Sequence, residues 1–418
     1  MGGERMPVRG IPGQAALILI LVALLVFVTG CVGAGQSGGI PDSGADTAGY
    51  RTVVDSRGVE VQVPKEIDRV VTVSSGLIEE VMFVLGEEEK TVGVGGINIQ
   101  NVWVYSYPLD DGKFVNGSDG RNVLQVLYPP IKELPLIMGA DAAINYETLA
   151  GLDPDVVILR VGTGGLTSME NEGVQKTIQT IESLRIPIVV LKGPPCFDDP
   201  DIATISDEIR IIGSVFGKEE RADKLADYLE SQTQVVFERT KDIPDAERPT
   251  VLVFGMNAHR AGALGTQGAG SVKGTDTVES YFIEKIVHAK NAYRNTGSPL
   301  ISAEQLLALD PDAIVLSTSY GYHPPGELYD AMYYKNVGEL SAVKNHRVMS
   351  LPWTPYYSNR LEYPIDVMVI AKAAYPGRFA DIDLGEWLLD FYKNVYGVDD
   401  GTAKALRSAQ WMDWCVEV

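Results

Sequence analysis

Glu147-Thr-Leu-Ala-Gly-Leu-Asp-Pro-Asp-Val-Val-Ile-Leu159 recurs as Glu304-Gln-Leu-Leu-Ala-Leu-Asp-Pro-Asp-Ala-Ile-Val-Leu316, 157 residues later and without a gap. That period is far longer than a solenoid repeat and close to the length of one domain. It implies two lobes of one design, each with a copy at the matching place. Each copy reads as a short amphipathic helix (Glu147 to Leu152, Glu304 to Leu309) that ends at Asp-Pro, because proline drives the residue before it out of the right-handed helical region. The apolar runs Val156-Val-Ile-Leu159 and Ala313-Ile-Val-Leu316 then read as strands buried on both faces. Such strands belong to parallel sheets covered by helices, so the fold class is α/β.

The correspondence continues past the repeat. A helix around Val174 to Leu184 and a strand from Ile186 to Leu191 follow the first copy; the strand Arg347-Val-Met-Ser-Leu351 follows the second. Both strands run into Pro-containing turns, Lys192-Gly-Pro-Pro195 and Pro352-Trp-Thr-Pro355. Between the lobes, Ile202, Ile205, Ile209, Ile212 and Phe216 form a helical apolar stripe. A second helix runs from Lys218 to about Arg239. At 1.5 Å per residue it spans roughly 33 Å, enough to bridge two lobes. The strand Thr250-Val-Leu-Val-Phe254 opens the second lobe. The organisation is therefore a first lobe over 50–199, interlobe helices over 200–242 and a second lobe over 243–418.

The leader stands apart. Arg5 and Arg9 precede an apolar run from Ala15 to Val28, followed by Thr-Gly-Cys31. A basic segment, an apolar core and small residues mark residues 1–30 as a secretory signal. The run is short for a membrane span of about 20 residues, although an uncleaved anchor is the alternative. Residues 31–49, rich in Gly, Ser and Asp, form a flexible tether. The 418-residue chain carries a formal net charge of −21 with 45% hydrophobic residues. That excludes global disorder and argues against nucleic acid or an anionic surface as partner.

Within the first lobe, Thr52 to Pro64 reads as a hairpin around Ser56-Arg-Gly58, and Arg69-Val-Val-Thr-Val-Ser74 as a strand. Ser74-Ser-Gly76 opens a helix from about Leu77 to Leu85, with Glu79 and Glu80 in its first turn where they suit the macrodipole. Residues 97–135 form a long irregular segment, hence a functional insertion or a lid.

These pieces, in this order, resemble the substrate-binding lipoproteins of ABC importers, in the class with a rigid interlobe helix that serves ferric siderophores, haem, cobalamin and some metal ions. The resemblance rests on Val53-Val-Asp-Ser-Arg-Gly-Val-Glu-Val-Gln-Val-Pro64, Arg69 to Ser74, both Leu-Asp-Pro-Asp copies, Phe282-Ile-Glu-Lys-Ile286, Asn359-Arg360 and Asp381 to Tyr392. It implies two Rossmann-like lobes joined by a long helix, with the ligand cleft between them. It implies lipidation at Cys31 and attachment to the outer face of the cell membrane. It also implies a monomer that delivers its ligand to a permease dimer with its ATPase, through Glu147 and Glu304 on matched faces. Charge complementarity of that kind steers encounter; the alternative is a pair of ordinary solvated glutamates.

Ligands of open α/β sheets sit beyond the carboxyl ends of strands. That rule nominates Ser74, Ser75, Arg160, Lys192, Asn257, His259, Arg260, Tyr320, Tyr322, His323, Trp353, Tyr356, Tyr357 and Arg360. Arginines clamp anionic groups and aromatic rings pack on large organic ligands. The mixture suits a ferric siderophore-like chelate, with a corrinoid or haem as alternatives. Arg360 has additional support, since the resemblance implies an arginine there. A bare metal ion would draw on His259 and His323. The Gly-rich segment 262–277 departs from the family and lacks a P-loop pattern. Cys196 and Cys415 form an even pair in an oxidising compartment, which permits a disulfide. No G-x-S-x-G, H-E-x-x-H or dinucleotide fingerprint is present, so a binding protein is expected ahead of a two-lobed chelatase-like metalloenzyme, and no intrinsic cofactor is expected.

Overall fold

A computed structural model describes residues 49–103, 106–109, 111–116, 119–139, 143–162, 166–197, 200–255, 270–318, 323–353 and 360–416. Strands β1 (Tyr50–Val54) and β2 (Glu60–Pro64) form the expected antiparallel hairpin. Then come β3 (Val70–Val73), α1 (Leu77–Leu85), β4 (Thr91–Val94), α2 (Tyr146–Gly151), β5 (Val156–Val161), α3 (Glu172–Ser183) and β6 (Ile188–Lys192). Helices α4 (Ala203–Phe216) and α5 (Glu219–Thr240) follow. The remainder comprises β7 (Thr250–Gly255), β8 (Gly270–Val272), β9 (Leu300–Ile301), α6 (Ala303–Leu309), β10 (Ala313–Leu316), β11 (Val348–Ser350), α7 (Tyr363–Ala374), α8 (Leu384–Tyr396) and α9 (Asp400–Ala409).

The two sheets repeat one another around the two copies. In the first, the order is β6-β5-β3-β4 and every pairing is parallel. In the second, β11, β10 and β7 stand in the places of β6, β5 and β3, again parallel. Lys290–Asn291 pairs parallel to the start of β7, as β4 pairs with β3. The second sheet differs at its edge, where β8 and β9 add antiparallel strands. It is therefore mixed rather than wholly parallel.

The repeat itself does the same structural work twice. Asn145 and Ser302, again 157 residues apart, cap α2 and α6 through their side chains, on Thr148 N and Gln305 N. Asp153 and Asp310, each before a proline, take positive φ values of 43° and 34°, outside the right-handed helix region as proline requires. Asp155 accepts the backbone N–H groups of Asp68 and Arg69 at 2.8 and 2.9 Å. Asp312 accepts Thr250 N at 2.7 Å and Thr250 Oγ1 at 2.9 Å. Each motif thus ties its own strand to the start of a neighbouring parallel strand, β3 in the first sheet and β7 in the second.

Helix α5, 22 residues long, packs on α4 and on α7 of the second lobe. One continuous apolar core joins Ile209, Leu225 and Leu229 to Phe282, Val367 and Tyr392. The chain then returns: α9 packs on the first-lobe helix Leu124–Leu127, and Trp353 N donates to Gln410 O at 2.9 Å. Among the described residues no helix is long and apolar enough to cross a membrane.

Candidate functional site

The cleft edge of the first lobe consists of the carboxyl ends of β3, β5 and β6; that of the second consists of the ends of β7, β10 and β11. Asn257, His259, Arg260, Tyr320, Tyr322, Tyr356 and Tyr357 lie outside the described residues, as does Cys31. The described candidates occupy positions that change their roles.

Arg160 ends in a buried ion pair. It is 1% exposed, and its Nε and Nη2 donate to the two carboxylate oxygens of Glu208 on α4, both at 2.6 Å. A bidentate pair of this kind satisfies the face of the guanidinium that a ligand would need. Arg160 therefore braces β5 against α4 instead of clamping a ligand. Trp353 is also 1% exposed, packed with Trp411 and under the Arg360 guanidinium, 5.6 Å from its ring centre. Its ring belongs to the core rather than to a ligand-facing wall. Lys192 stays partly exposed, its ammonium 5.7 Å from the Phe197 ring.

Arg360 sits at the lobe interface. Its Nη2 donates to Trp353 O at 2.6 Å and to Gln410 Oε1 at 2.8 Å. Two buried carboxylates flank the remaining nitrogens: Glu80 of α1 at 3.8 Å from Nη1 and Glu362 at 3.7 Å from Nε. Leu361 N reaches Glu80 Oε2 at 3.4 Å, and Tyr396 donates its hydroxyl to Glu362 at 2.5 Å. Glu79 and Glu80 stand in the first turn of α1 as expected, but they are 2% and 0% exposed. Ser74 Oγ donates to Glu79 at 2.5 Å and accepts Gly76 N at 2.9 Å. Ser75 beside it is buried too. Gly76 has φ 130°, and a Cβ there would lie 2.9 Å from Glu80 Oε1, so the helix entry has room for the carboxylate only because the residue is glycine.

Burial raises the pKa of Glu79. Burial, reinforced by the Glu362 carboxylate and opposed by Arg360, raises Glu80 to about 8. Two carboxyl groups, Glu80 and Glu362, share one guanidinium, and a dry interface favours the protonated form of one of them. The overlooked signal was in α1 itself: Leu-Ile-Glu-Glu-Val-Met-Phe-Val-Leu is apolar all round, and such a helix is buried on all sides, carrying its glutamates inside.

His323 is 1% exposed, and its Nδ1 lies 2.5 Å from Glu327, which also accepts the Tyr333 hydroxyl. Among the described residues no group of three metal-ligating side chains converges. Cys196 and Cys415 are free thiols, not a disulfide. Cys196 packs in the first-lobe core beside Gly162, whereas Cys415 Sγ donates to Met412 O at 2.9 Å. Burial pushes each thiol up to about 11, so both stay protonated at neutral pH.

An interlobe crevice of about 230 Å³ lies between Pro195 and Pro200 on one side and Asp276, Thr277, Glu279 and Ser298 on the other. Nearby, Tyr281 donates its hydroxyl to Asp201 at 3.1 Å. A cavity of about 540 Å³ around Arg248, Glu284 and Arg294 opens beside the amino end of β7, at the edge opposite the cleft.

Two matched sheets, a bridging helix and a cleft at the strand ends define a bilobal solute-binding protein. The chain belongs to the family described as "Periplasmic binding protein", whose profile matches residues 71–354. This is a family of binding proteins, not enzymes, as the sequence led us to expect. The "Molybdate-binding protein MolA" of Haemophilus influenzae is 25% identical over 299 residues, which are 66% of this chain and 76% of that protein. The "Uncharacterized ABC transporter substrate-binding lipoprotein YvrC" of Bacillus subtilis is 23% identical over 332 residues, 79% of this chain and 87% of that protein. Among solved structures, a periplasmic solute binding protein from Veillonella parvula matches with TM-score 0.63 and 21% identity, covering 88% of this chain and 98% of that one. MolA bound to molybdate matches with TM-score 0.61 and 20% identity, over 84% of this chain and 98% of that one. These structural likenesses carry the fold.

Proposed function

We propose that the protein is the extracytoplasmic substrate-binding component of an ABC importer, lipid-anchored through Cys31, and that its solute contains a metal. The observation that carries this reading is the duplicated architecture, which sets a cleft between lobes and leaves Glu147 and Glu304 exposed at matching positions. Both relatives in the sequence comparison support it, one by a name that includes an ABC transporter and a lipoprotein, the other by a name that includes an oxyanion of a metal.

The chelate reading, a ferric siderophore-like complex with haem or a corrinoid as alternatives, now rests on Asn257, His259, Arg260, Tyr320 and Tyr357. Arg160 and Trp353 no longer contribute free groups to it, and the Arg360 guanidinium is buried beside Glu80 and Glu362. The burial of Trp353 and the name of the relative MolA support a second reading, a small oxyanion of the molybdate type, which needs hydrogen-bond donors and no large aromatic wall. Thermal shift separates them, since a solute that binds only the folded state raises its melting temperature. Molybdate and tungstate would stabilise the protein under the second reading; a ferric siderophore, haemin or cobalamin would do so under the first. No shift with any of these solutes would overturn the metal-containing class.

A further inference from the structure

The long insertion after β4 does not hang free over the cleft. It is a β-ribbon. Val102–Trp103 pairs antiparallel with Gly120–Arg121, and further out Ser106–Pro108 pairs with Phe114–Asn116. The ribbon leaves the first lobe after Val94, at the carboxyl edge of its sheet. Its outer part docks on the second lobe. Tyr107 is 3% exposed and lies in the same core cluster as Leu252, Leu316, Leu328 and Tyr334. Leu109 forms a β-bridge with Ala331, and Leu109 and Val115 pack on the same cluster. The residues that receive it follow β10, at the carboxyl edge of the second sheet. The ribbon therefore runs from one rim of the cleft to the other.

Its base is fixed as firmly. Trp411 packs so closely on Gly120 that a Cβ there would lie 2.3 Å from the indole ring. Gln410 Nε2 donates to Arg121 O at 2.8 Å, and the same amide accepts from Arg360.

We propose that the ribbon 102–121 is a fixed strap across the ligand cleft, anchored on the second lobe by Tyr107, which limits how far the lobes part and so which solutes reach the cleft. This rests on the binding-protein reading of the cleft. The strap is a selectivity element: a solute enters beside it, and the lobes open only as far as the docked ribbon lets them.

The test needs no solute, so its failure is distinct from failure of the ligand assignment. Hydrogen exchange is followed in the full chain together with the radius of gyration by small-angle scattering. In the native protein, amides of 106–116 are protected. Tyr107→Ala accelerates their exchange about tenfold or more and enlarges the radius of gyration, while β3, β5, β7 and β10 keep their protection. As a second arm, Leu109→Cys with Ala331→Cys is made in a Cys196→Ser, Cys415→Ser background. The disulfide forms on oxidation and leaves the radius of gyration unchanged. Free-loop exchange at 106–116 in the native protein, an unaltered profile in Tyr107→Ala, or compaction on cross-linking would each overturn the strap. If Tyr107→Ala fails to fold, the cross-linking arm decides.

Discussion

Glu80 is fully buried between Glu362, Arg360 and Glu79, and its carboxyl titrates near 8. Its ordinary value is 4.5, so between those two pH values the folded state holds a proton that the unfolded chain has released. Stability therefore falls as pH rises through that window, by at most about 1.4 kcal/mol per unit, and levels off above it. Glu80→Gln mimics the protonated form and removes this titration. Melting temperatures at pH 5 and pH 8 should drop markedly less in the variant than in the native protein; equal drops would refute the assignment. The neighbouring Tyr396, which donates to Glu362, is raised well above its ordinary range, chiefly by burial, and does not titrate in this window. Residue identity alone did not reveal this cluster. The sequence nominated Arg160 and Arg360 as cationic clamps because arginines at strand ends suit anionic ligands. Their partners, Glu208 and the pair Glu80 and Glu362, lie 48, 280 and 2 positions away in the chain. Only folding brings the two distant ones into reach.

At the scale of elements the sequence was far more legible, because the repeat states each helix–strand unit twice and proline marks the boundary. The antiparallel β8 and β9 were not foreseen: they are three and two residues long, too short for a period-2 pattern to register. The two copies also differ in a testable way. Gly151 in α2 corresponds to Ala308 in α6, and a Cβ at Gly151 would meet nothing within 4 Å. Gly151→Ala should raise stability by about 0.5–1 kcal/mol, through lower entropy of the unfolded chain and better helix propensity. Chemical denaturation measures this directly, and a loss of stability would show that the glycine is needed. Asp155 and Asp312 lie in different sheets and share no partner. Asp155→Ala and Asp312→Ala should each cost about 1–3 kcal/mol, since each leaves a strand-start donor without its charged acceptor. Their costs should add in the double variant to within about 0.5 kcal/mol; strong coupling would mean that the two lobes unfold as one through these motifs.

For the whole molecule, the decisive relation is between the two ends of the repeat. Glu147 and Glu304 are the second residues of α2 and α6, two residues after the capping side chains of Asn145 and Ser302. Both are exposed, and a hydrogen bond with Ser302 holds the Glu304 carboxyl below its ordinary value. A buried packing role is thereby excluded, and helix capping falls to their neighbours instead. What remains is a pair of charges that the fold itself duplicates, one on each lobe, suited to a partner that presents the same basic surface twice. Glu147→Lys with Glu304→Lys should therefore leave the melting temperature and the solute-induced shift intact. The protein's stimulation of its importer's ATPase in reconstituted vesicles should fall to background. Each single reversal should weaken it about three- to tenfold, more at low salt than at high, because exposed charges act mainly on encounter and are screened by ions. Full stimulation by the double variant would separate the duplication of these glutamates from docking. Weakening by only one reversal would mean that the partner reads one lobe, and that the symmetry of the repeat serves the cleft alone.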